Sequence, residues 1–304
     1  MEASNTFDVK VLDGAAVMHS LSTTSITTFD QYASSVFIPH IMKHLETSAR
    51  VDVVWDTYLT SSIKRSTREK CGKGIRRKVG WSEQDSSRLA WFFRDPKNNQ
   101  ELFAFLSEKI GYTECPNGKQ ICITSSSTVI STDANHRVAQ CNHQDADTRI
   151  LIHLLDALVL GSEGCLVRTV ETDVVIILVG KFFTSPEMYP AADIWVAFGT
   201  AENYKYLHIN EFCSNLGKDK SVAFQLFHCF TGCDTTSTFC NLSMMHGKNC
   251  SASRTSQWKT FYQLRILCFS TPRELHTKLV SGQQVIIPSN KYQVQKGGAG
   301  QWIV

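Results

Sequence analysis

The chain has 304 residues, of which 42% are hydrophobic and 19% are charged, with a formal net charge of +3. This length and composition suit a globular protein with its own core and exclude disorder as the main state. No apolar run reaches the roughly 18 residues that span a bilayer, the first residues are acidic and polar, and the eleven cysteines are scattered. We therefore expect an intracellular protein with reduced thiols and no membrane partner.

The first 56 residues predict a strand, a helix and a second strand. Residues 8–13 (DVKVLD) alternate apolar and polar side chains, and residues 51–56 (VDVVWD) are a compact apolar run that ends on an aspartate. Between them, residues 29–45 carry apolar side chains at helical spacing. This order is that of a βαβ unit, so the sequence predicts an α/β fold with a mostly parallel central sheet flanked by helices.

The rest of the chain continues the alternation with less regular stretches. The VVIILVG run at 174–180 favours a strand because it is β-branched, although a short buried helix would give the same pattern. The polar stretch 125–142 predicts a loop. The remaining predictions are helices at 98–110, 145–160 and 221–230, and strands at 120–124, 165–170, 193–199 and 204–209.

A basic segment lies between the second strand and the next helix. Residues 64–78 (KRSTREKCGKGIRRK) contain eight basic residues and one glutamate, so the remainder of the chain is mildly acidic. One concentrated positive segment on an acidic body indicates an anionic partner, nucleic acid first. A solvated basic helix or a nuclear-import signal would give the same pattern.

Acidic residues occur where predicted strands end and predicted helices begin. In open α/β sheets, ligands bind at the carboxyl ends of the strands, so we expect these acids to converge there. Two carboxylates about 5 Å apart repel by roughly 3 kcal/mol at an effective dielectric of 20, and hard ions such as Mg²⁺ or Mn²⁺ relieve this repulsion. Seven acids form the candidate catalytic and metal-binding set: Asp13, Asp56, Asp145, Asp147, Glu171, Asp173 and Asp234.

The segments around these acids resemble the acidic motifs of the flap-endonuclease/XPG-like branch of the PIN nucleases, in the same order over residues 8–240. The motifs are LDGAAVMHSL, VVWDTYLTSSIKRSTREK, HQDADTRILIHLLDAL, RTVETDVVIIL and FTGCDTTSTF. More narrowly, they resemble a group of mobile-element-associated proteins of fish and invertebrates.

The resemblance implies a PIN-like nuclease domain over residues 1–240, in which 57–142 form a basic helical arch or insertion. It also implies a degenerate, truncated helical region over 241–304. The implied activity is hydrolysis of nucleic-acid phosphodiesters with two Mg²⁺ or Mn²⁺ ions held by the seven acids. DNA is favoured over RNA, and the nucleus over the cytoplasm. The expected substrate-binding residues are Lys64, Arg68, Arg76 and Arg77.

Two alternatives remain open at the level of sequence. The family prefers Glu-x-Glu or Glu-x-Asp where this chain has Asp145-Ala146-Asp147, and Asp at the position of Glu171. Shifts of one methylene can displace a metal ligand, so the chain could be a nucleic-acid-binding relic without activity. A metal-dependent phosphatase acting on small phosphates is the other alternative, but it would leave the basic segment without a role.

Overall fold

The computed structural model describes residues 6–23, 26–57, 96–182, 188–200 and 203–231. The chain divides into two units, residues 1–245 and 246–304, and every described residue lies in the first. The basic segment, Asp234 and the C-terminal region from residue 241 lie outside the described residues, so the predictions for them stay predictions. Within the described ranges, no helix is both long enough and apolar enough to cross a membrane.

The centre of the fold is a seven-stranded sheet with the strand order β4-β3-β2-β1-β5-β6-β7. The pairs β3–β2, β2–β1, β1–β5 and β5–β6 are parallel, and the edge pairs β3–β4 and β6–β7 are antiparallel. The strands are β1 Val9–Asp13, β2 Arg50–Val54, β3 Gln120–Ser125, β4 Thr128–Ser131, β5 Gly164–Thr169, β6 Asp193–Phe198 and β7 Lys205–His208.

Helices cover both faces of this sheet. A first core joins α1–α4 to one face, and a second core joins α5–α8 to the other. The helices are α1 Gly14–Ser20, α2 Phe29–Tyr32, α3 Ile38–Glu46, α4 Pro96–Gly111, α5 Ala146–Val159, α6 Thr172–Phe182, α7 Ile209–Leu216 and α8 Lys218–Thr231, with a π-helical turn, Ala33–Phe37, between α2 and α3.

The strand order reverses direction between β1 and β5. From β1 the chain adds β2 and then β3 on one side, and it later returns to place β5 and β6 on the other side of β1. Because the connections leave β1 and β5 in opposite directions, a crevice opens at their carboxyl ends, which is where open α/β sheets bind ligands. Asp13 ends β1 and Glu171 follows β5, so both acids lie at this point.

The predicted α/β class and the mostly parallel sheet are confirmed, two local predictions are wrong, and one helix was not predicted. The run at 174–180 belongs to a helix, α6, which is buried along most of its length and so lacks a polar face. The predicted loop 125–142 contains the short edge strand β4, four residues whose side chains are half-buried or exposed. Helix α7 begins where strand β7 ends, at a position for which no helix was predicted.

A buried polar network fixes the amino-terminal end of β2 against helix α5. The Asp52 side chain is fully buried and accepts hydrogen bonds from Nε and Nη2 of Arg50, each at 2.6 Å, and from Nδ1 of His153 at 2.6 Å. Arg50 also donates to Asp156 at 2.7 Å. Burial opposes ionisation of Asp52, but the bonds from His153 and Arg50 outweigh it and lower the pKa of Asp52.

Candidate functional site

Asp13 is a buried carboxylate at the topological switch point. It is 4% exposed and it caps helix α1, because Oδ1 accepts a hydrogen bond from the Ala16 N–H at 3.0 Å. Its other oxygen, Oδ2, accepts from the Thr169 hydroxyl at 3.3 Å, which links the ends of β1 and β5. The carboxylate is therefore held in one orientation by both neighbouring elements.

The electrostatic surroundings of Asp13 disfavour its charge. Burial raises the pKa of Asp13 to about 6; the Ala16 hydrogen bond opposes this rise, and the neighbouring Asp56 carboxylate adds to it. Within the described residues, no lysine, arginine or histidine forms an ion pair with Asp13. The site thus holds two neighbouring carboxylates, and the buried one has no ion-pair partner in the part of the chain that the structure describes.

Asp56 follows β2 and lies against the beginning of helix α5. Its Oδ1 accepts a hydrogen bond from the backbone N–H of Ala146 at 2.8 Å. Asp145 and Asp147 flank Ala146 in the chain, so this bond brings the second and third predicted acidic motifs together. Three acids at the N-terminus of one helix are stabilised by its dipole, but they also repel one another.

Arg149 fixes the carboxyl end of β2, a role that sequence reasoning missed. The side chain is 1% exposed, and Nη1 donates to the Trp55 carbonyl at 3.1 Å and to the Thr57 hydroxyl at 2.7 Å, while Nη2 donates to the Ser126 carbonyl. The guanidinium thus binds Trp55 and Thr57, the residues before and after Asp56. The only signal in the sequence is an arginine among the apolar residues of a predicted helix.

The acids that follow β5 are placed by two different contacts. The backbone N–H of Glu171 donates to the Thr169 hydroxyl at 3.0 Å. The same hydroxyl donates to Asp13, so Thr169 links the two acids. Asp173 lies in the first turn of α6, and its Oδ1 is 2.8 Å from Nε2 of His228 on helix α8. The Asp173 side chain is 30% exposed and the His228 side chain 10% exposed.

Gly14, which follows Asp13, packs tightly against Trp55, which precedes Asp56. Trp55 stacks on Phe103 with ring centroids 4.3 Å apart, and its Nε1 donates to Ser107 at 3.0 Å. A Cβ added at Gly14 would lie 2.3 Å from the Trp55 ring. Glycine after Asp13 therefore lets helix α1 begin in close contact with Trp55, the residue before Asp56.

Six of the seven predicted acids occupy the carboxyl edge of strands β1, β2 and β5 or the helix starts beside it. Among the described residues, however, no three His, Cys, Asp or Glu side chains lie close enough to hold one metal ion together. Asp234 and the four predicted substrate-binding residues, Lys64, Arg68, Arg76 and Arg77, fall outside the described ranges. Asp13 and Asp56 repel each other electrostatically, and Asp56 bonds to the backbone N–H between Asp145 and Asp147.

Comparisons of the chain with protein-family models, with curated proteins and with solved structures gave no match. The resemblance to flap-endonuclease/XPG-like nucleases therefore stays a prediction. A fold of this class hosts many activities, so the function has to be inferred from the chemistry of the site.

Proposed function

We propose that the carboxyl edge of the sheet binds a divalent metal ion and hydrolyses phosphodiester bonds of nucleic acid, as expected for a PIN-like nuclease. The observation that carries the proposal is the pair formed by Asp13 and Asp56. Asp13 is buried, its pKa is raised to about 6, and Asp56 repels it. Such a pair lowers its free energy by binding a cation, and it lies where α/β sheets bind ligands.

The residues present suit Mg²⁺ or Mn²⁺. Both ions favour oxygen ligands, and Mg²⁺ commonly keeps several water molecules while one or two carboxylates hold it. Asp13 and Asp56 would supply such a pair, with Asp173 and Asp234 as candidate ligands for a second ion. A bound ion would activate water and neutralise charge that develops on the phosphate.

The protein itself orients these ligands and the substrate. The Ala146 N–H fixes one Asp56 oxygen, and the Thr169 hydroxyl and the Ala16 N–H fix Asp13. Helices α5 and α6 both begin at this edge, and a helix N-terminus favours a phosphate by its dipole and its free N–H groups. The positive charge of the basic segment, residues 64–78, would attract the substrate phosphates at long range.

A nucleic-acid-binding relic without activity is the second candidate. The observation in its favour is that the described residues contain no group of three potential metal ligands. A relic would keep the fold and its basic segment, and it would bind nucleic acid without cleaving it. Cleavage and binding must therefore be measured separately.

The test is a nuclease assay on labelled single-stranded, flap and duplex DNA, on RNA, and on p-nitrophenyl phosphate, with Mg²⁺, Mn²⁺ or EDTA. Asp13→Asn and Asp173→Asn each keep the side-chain shape and remove one charge. We expect metal-dependent cleavage that falls about 10²-fold or more in both variants, while Glu108→Gln, which removes an exposed carboxylate on α4, cleaves like wild type. Absence of cleavage on every substrate would favour the relic, and activity on p-nitrophenyl phosphate alone would favour a phosphatase.

A further inference from the structure

Two exposed tyrosines lie on the sheet face that also carries α1–α4. Tyr204 and Tyr206 are 42% and 48% exposed, so each leaves part of its ring open to solvent. Tyr206 pairs with Ala197, and Ala197 pairs with Arg168, so Arg168 and Tyr206 lie on the same face of the sheet. The tyrosine rings pack edge to face with centroids 5.5 Å apart, and the Arg168 guanidinium lies 5.1 Å from the centroid of the Tyr204 ring.

The histidines of helix α3 lie within electrostatic range of Arg168. Burial lowers the pKa of His44 to about 4, and the charges of His40, Lys10, Arg168 and Lys43 lower it further. At neutral pH His44 is therefore uncharged, and Arg168 supplies positive charge beside the tyrosines.

This surface lies at the same edge of the sheet as the acids. Arg168 precedes Thr169, whose hydroxyl contacts Asp13, and Arg168 donates to the Thr169 carbonyl at 2.8 Å. Tyr204 directly precedes β7, whose first residue pairs with Phe198 at the carboxyl end of β6. We call Arg168, Tyr204 and Tyr206 the aromatic–basic face.

We propose that the aromatic–basic face binds single-stranded nucleic acid, with bases stacked on the two tyrosines and a phosphate paired with Arg168. Exposed aromatic rings beside cations on an open sheet are a stacking platform for unpaired bases, whereas paired bases in a duplex leave no exposed ring faces. Tyr206 lies in β7 and Tyr204 directly precedes that strand, so a strand of nucleic acid can cross the two rings in succession. That this face guides a substrate strand toward Asp13 rests on the proposed function. That it binds single-stranded nucleic acid does not.

The experiment measures fluorescence anisotropy of a labelled oligothymidine in EDTA, where no metal-dependent cleavage occurs. We expect Tyr204→Ala/Tyr206→Ala to weaken binding about tenfold or more, and Tyr204→Phe/Tyr206→Phe to bind like wild type because the rings remain. Arg168→Gln should flatten the salt dependence by about 0.7 on a log–log scale for one lost phosphate contact. Tyr112→Ala, which removes a ring 79% exposed at the end of α4, is the matched control.

Two results would overturn the proposal: equal affinity of the double alanine variant and wild type, or an equal loss of affinity in the Tyr112→Ala control. A third contradicting result is duplex DNA binding that responds to the tyrosine substitutions as strongly as the single strand does. Loss of single-strand binding in the double alanine variant supports the proposal even where the nuclease assay shows no cleavage. Failure of the proposed function and failure of this inference are therefore distinguishable.

Discussion

His228, near the end of helix α8, contacts Asp173 at the beginning of helix α6, with Nε2 and Oδ1 2.8 Å apart. The two residues are 55 positions apart in the chain, and the histidine side chain is mostly buried. Because a carboxylate only accepts hydrogen bonds, His228 donates and so limits the orientations available to Asp173. Helix α8 thus contacts the candidate site through the His228 side chain.

The first prediction concerns this contact. His228→Ala removes the donor and should lower metal-dependent cleavage about 10- to 100-fold, the range seen when the partner that orients a metal ligand is lost. His228→Gln keeps an N–H at a similar reach and should recover most of the activity. Cleavage rates measured against Mn²⁺ concentration check this, because a positioning role raises the Mn²⁺ needed for half-maximal rate. Equal activity in the alanine variant and wild type would contradict it.

The second prediction concerns Gly14. An added Cβ would lie 2.3 Å from the Trp55 ring, which cannot move easily because it stacks on Phe103 and bonds to Ser107. Gly14→Ala should therefore lower the free energy of unfolding by about 1–3 kcal/mol, the cost of overpacking a core. Urea unfolding measures it.

Gly164→Ala is the control for Gly14→Ala, because an added Cβ there would find no neighbour closer than 3.7 Å. We expect the control to change the free energy of unfolding by less than about 1 kcal/mol. If both variants unfold at the same urea concentration, the close approach of helix α1 to Trp55 does not contribute to the free energy of unfolding.

The third prediction concerns the buried network around Asp52. Asp52→Ala leaves the Arg50 charge buried without its main partner and should cost about 3–5 kcal/mol at neutral pH. The pKa of Asp52 is lowered in the folded protein, so its contribution is present above the unfolded pKa of about 3.9 and is lost as the pH falls through the folded value. The difference in unfolding free energy between wild type and variant should therefore shrink below about pH 4.

Asp30→Asn is the control for the Asp52 network, because Asp30 pairs with Lys109 and its side chain is 44% exposed. An exposed ion pair contributes at most about 1 kcal/mol. Urea unfolding from pH 3 to 7 compares the three proteins. A pH-independent difference between wild type and Asp52→Ala would show that Asp52 acts by shape and not by charge.

Most of the sheet could be predicted from local patterns, since β1, β2, β3, β5 and β6 are largely apolar segments. Helix α6 could not, because a buried helix and a buried strand have the same apolar composition over seven residues. The helix begins with Thr172 and Asp173, residues suited to a first helical turn, and these were the signal in favour of a helix.

The candidate site was predictable in part for the same reason. Acids at strand ends identify an edge of the sheet, so the approach of Asp13 to Asp56 follows from a parallel pairing of β1 and β2. The partners of these acids depend on packing between distant segments: Ala146 is 90 residues from Asp56, and His153 is 101 residues from Asp52. Such contacts have no local signature in a single sequence.

The last prediction concerns Asp13. Its pKa of about 6 exceeds the ordinary value of 3.8, so between these values the folded protein holds a proton that the unfolded chain has lost. Folding is therefore weakened as the pH rises through this window, by up to about 3 kcal/mol in full above pH 6. Asp13→Asn removes this penalty and keeps an oxygen that can accept the Ala16 N–H, so the metal-free variant should be more stable than wild type at pH 7.5 and gain nothing at pH 4.

Divalent metal should reverse this difference. An ion that binds the folded state raises its stability by mass action, about 2.7 kcal/mol at a concentration one hundred times the dissociation constant. Millimolar Mn²⁺ should therefore raise the Tm of wild type and of Glu108→Gln, but raise that of Asp13→Asn much less. If Mn²⁺ leaves the wild-type Tm unchanged while Asp13→Asn is still the more stable protein without metal, Asp13 is a strained buried acid and not a metal ligand, and the carboxyl edge needs another explanation.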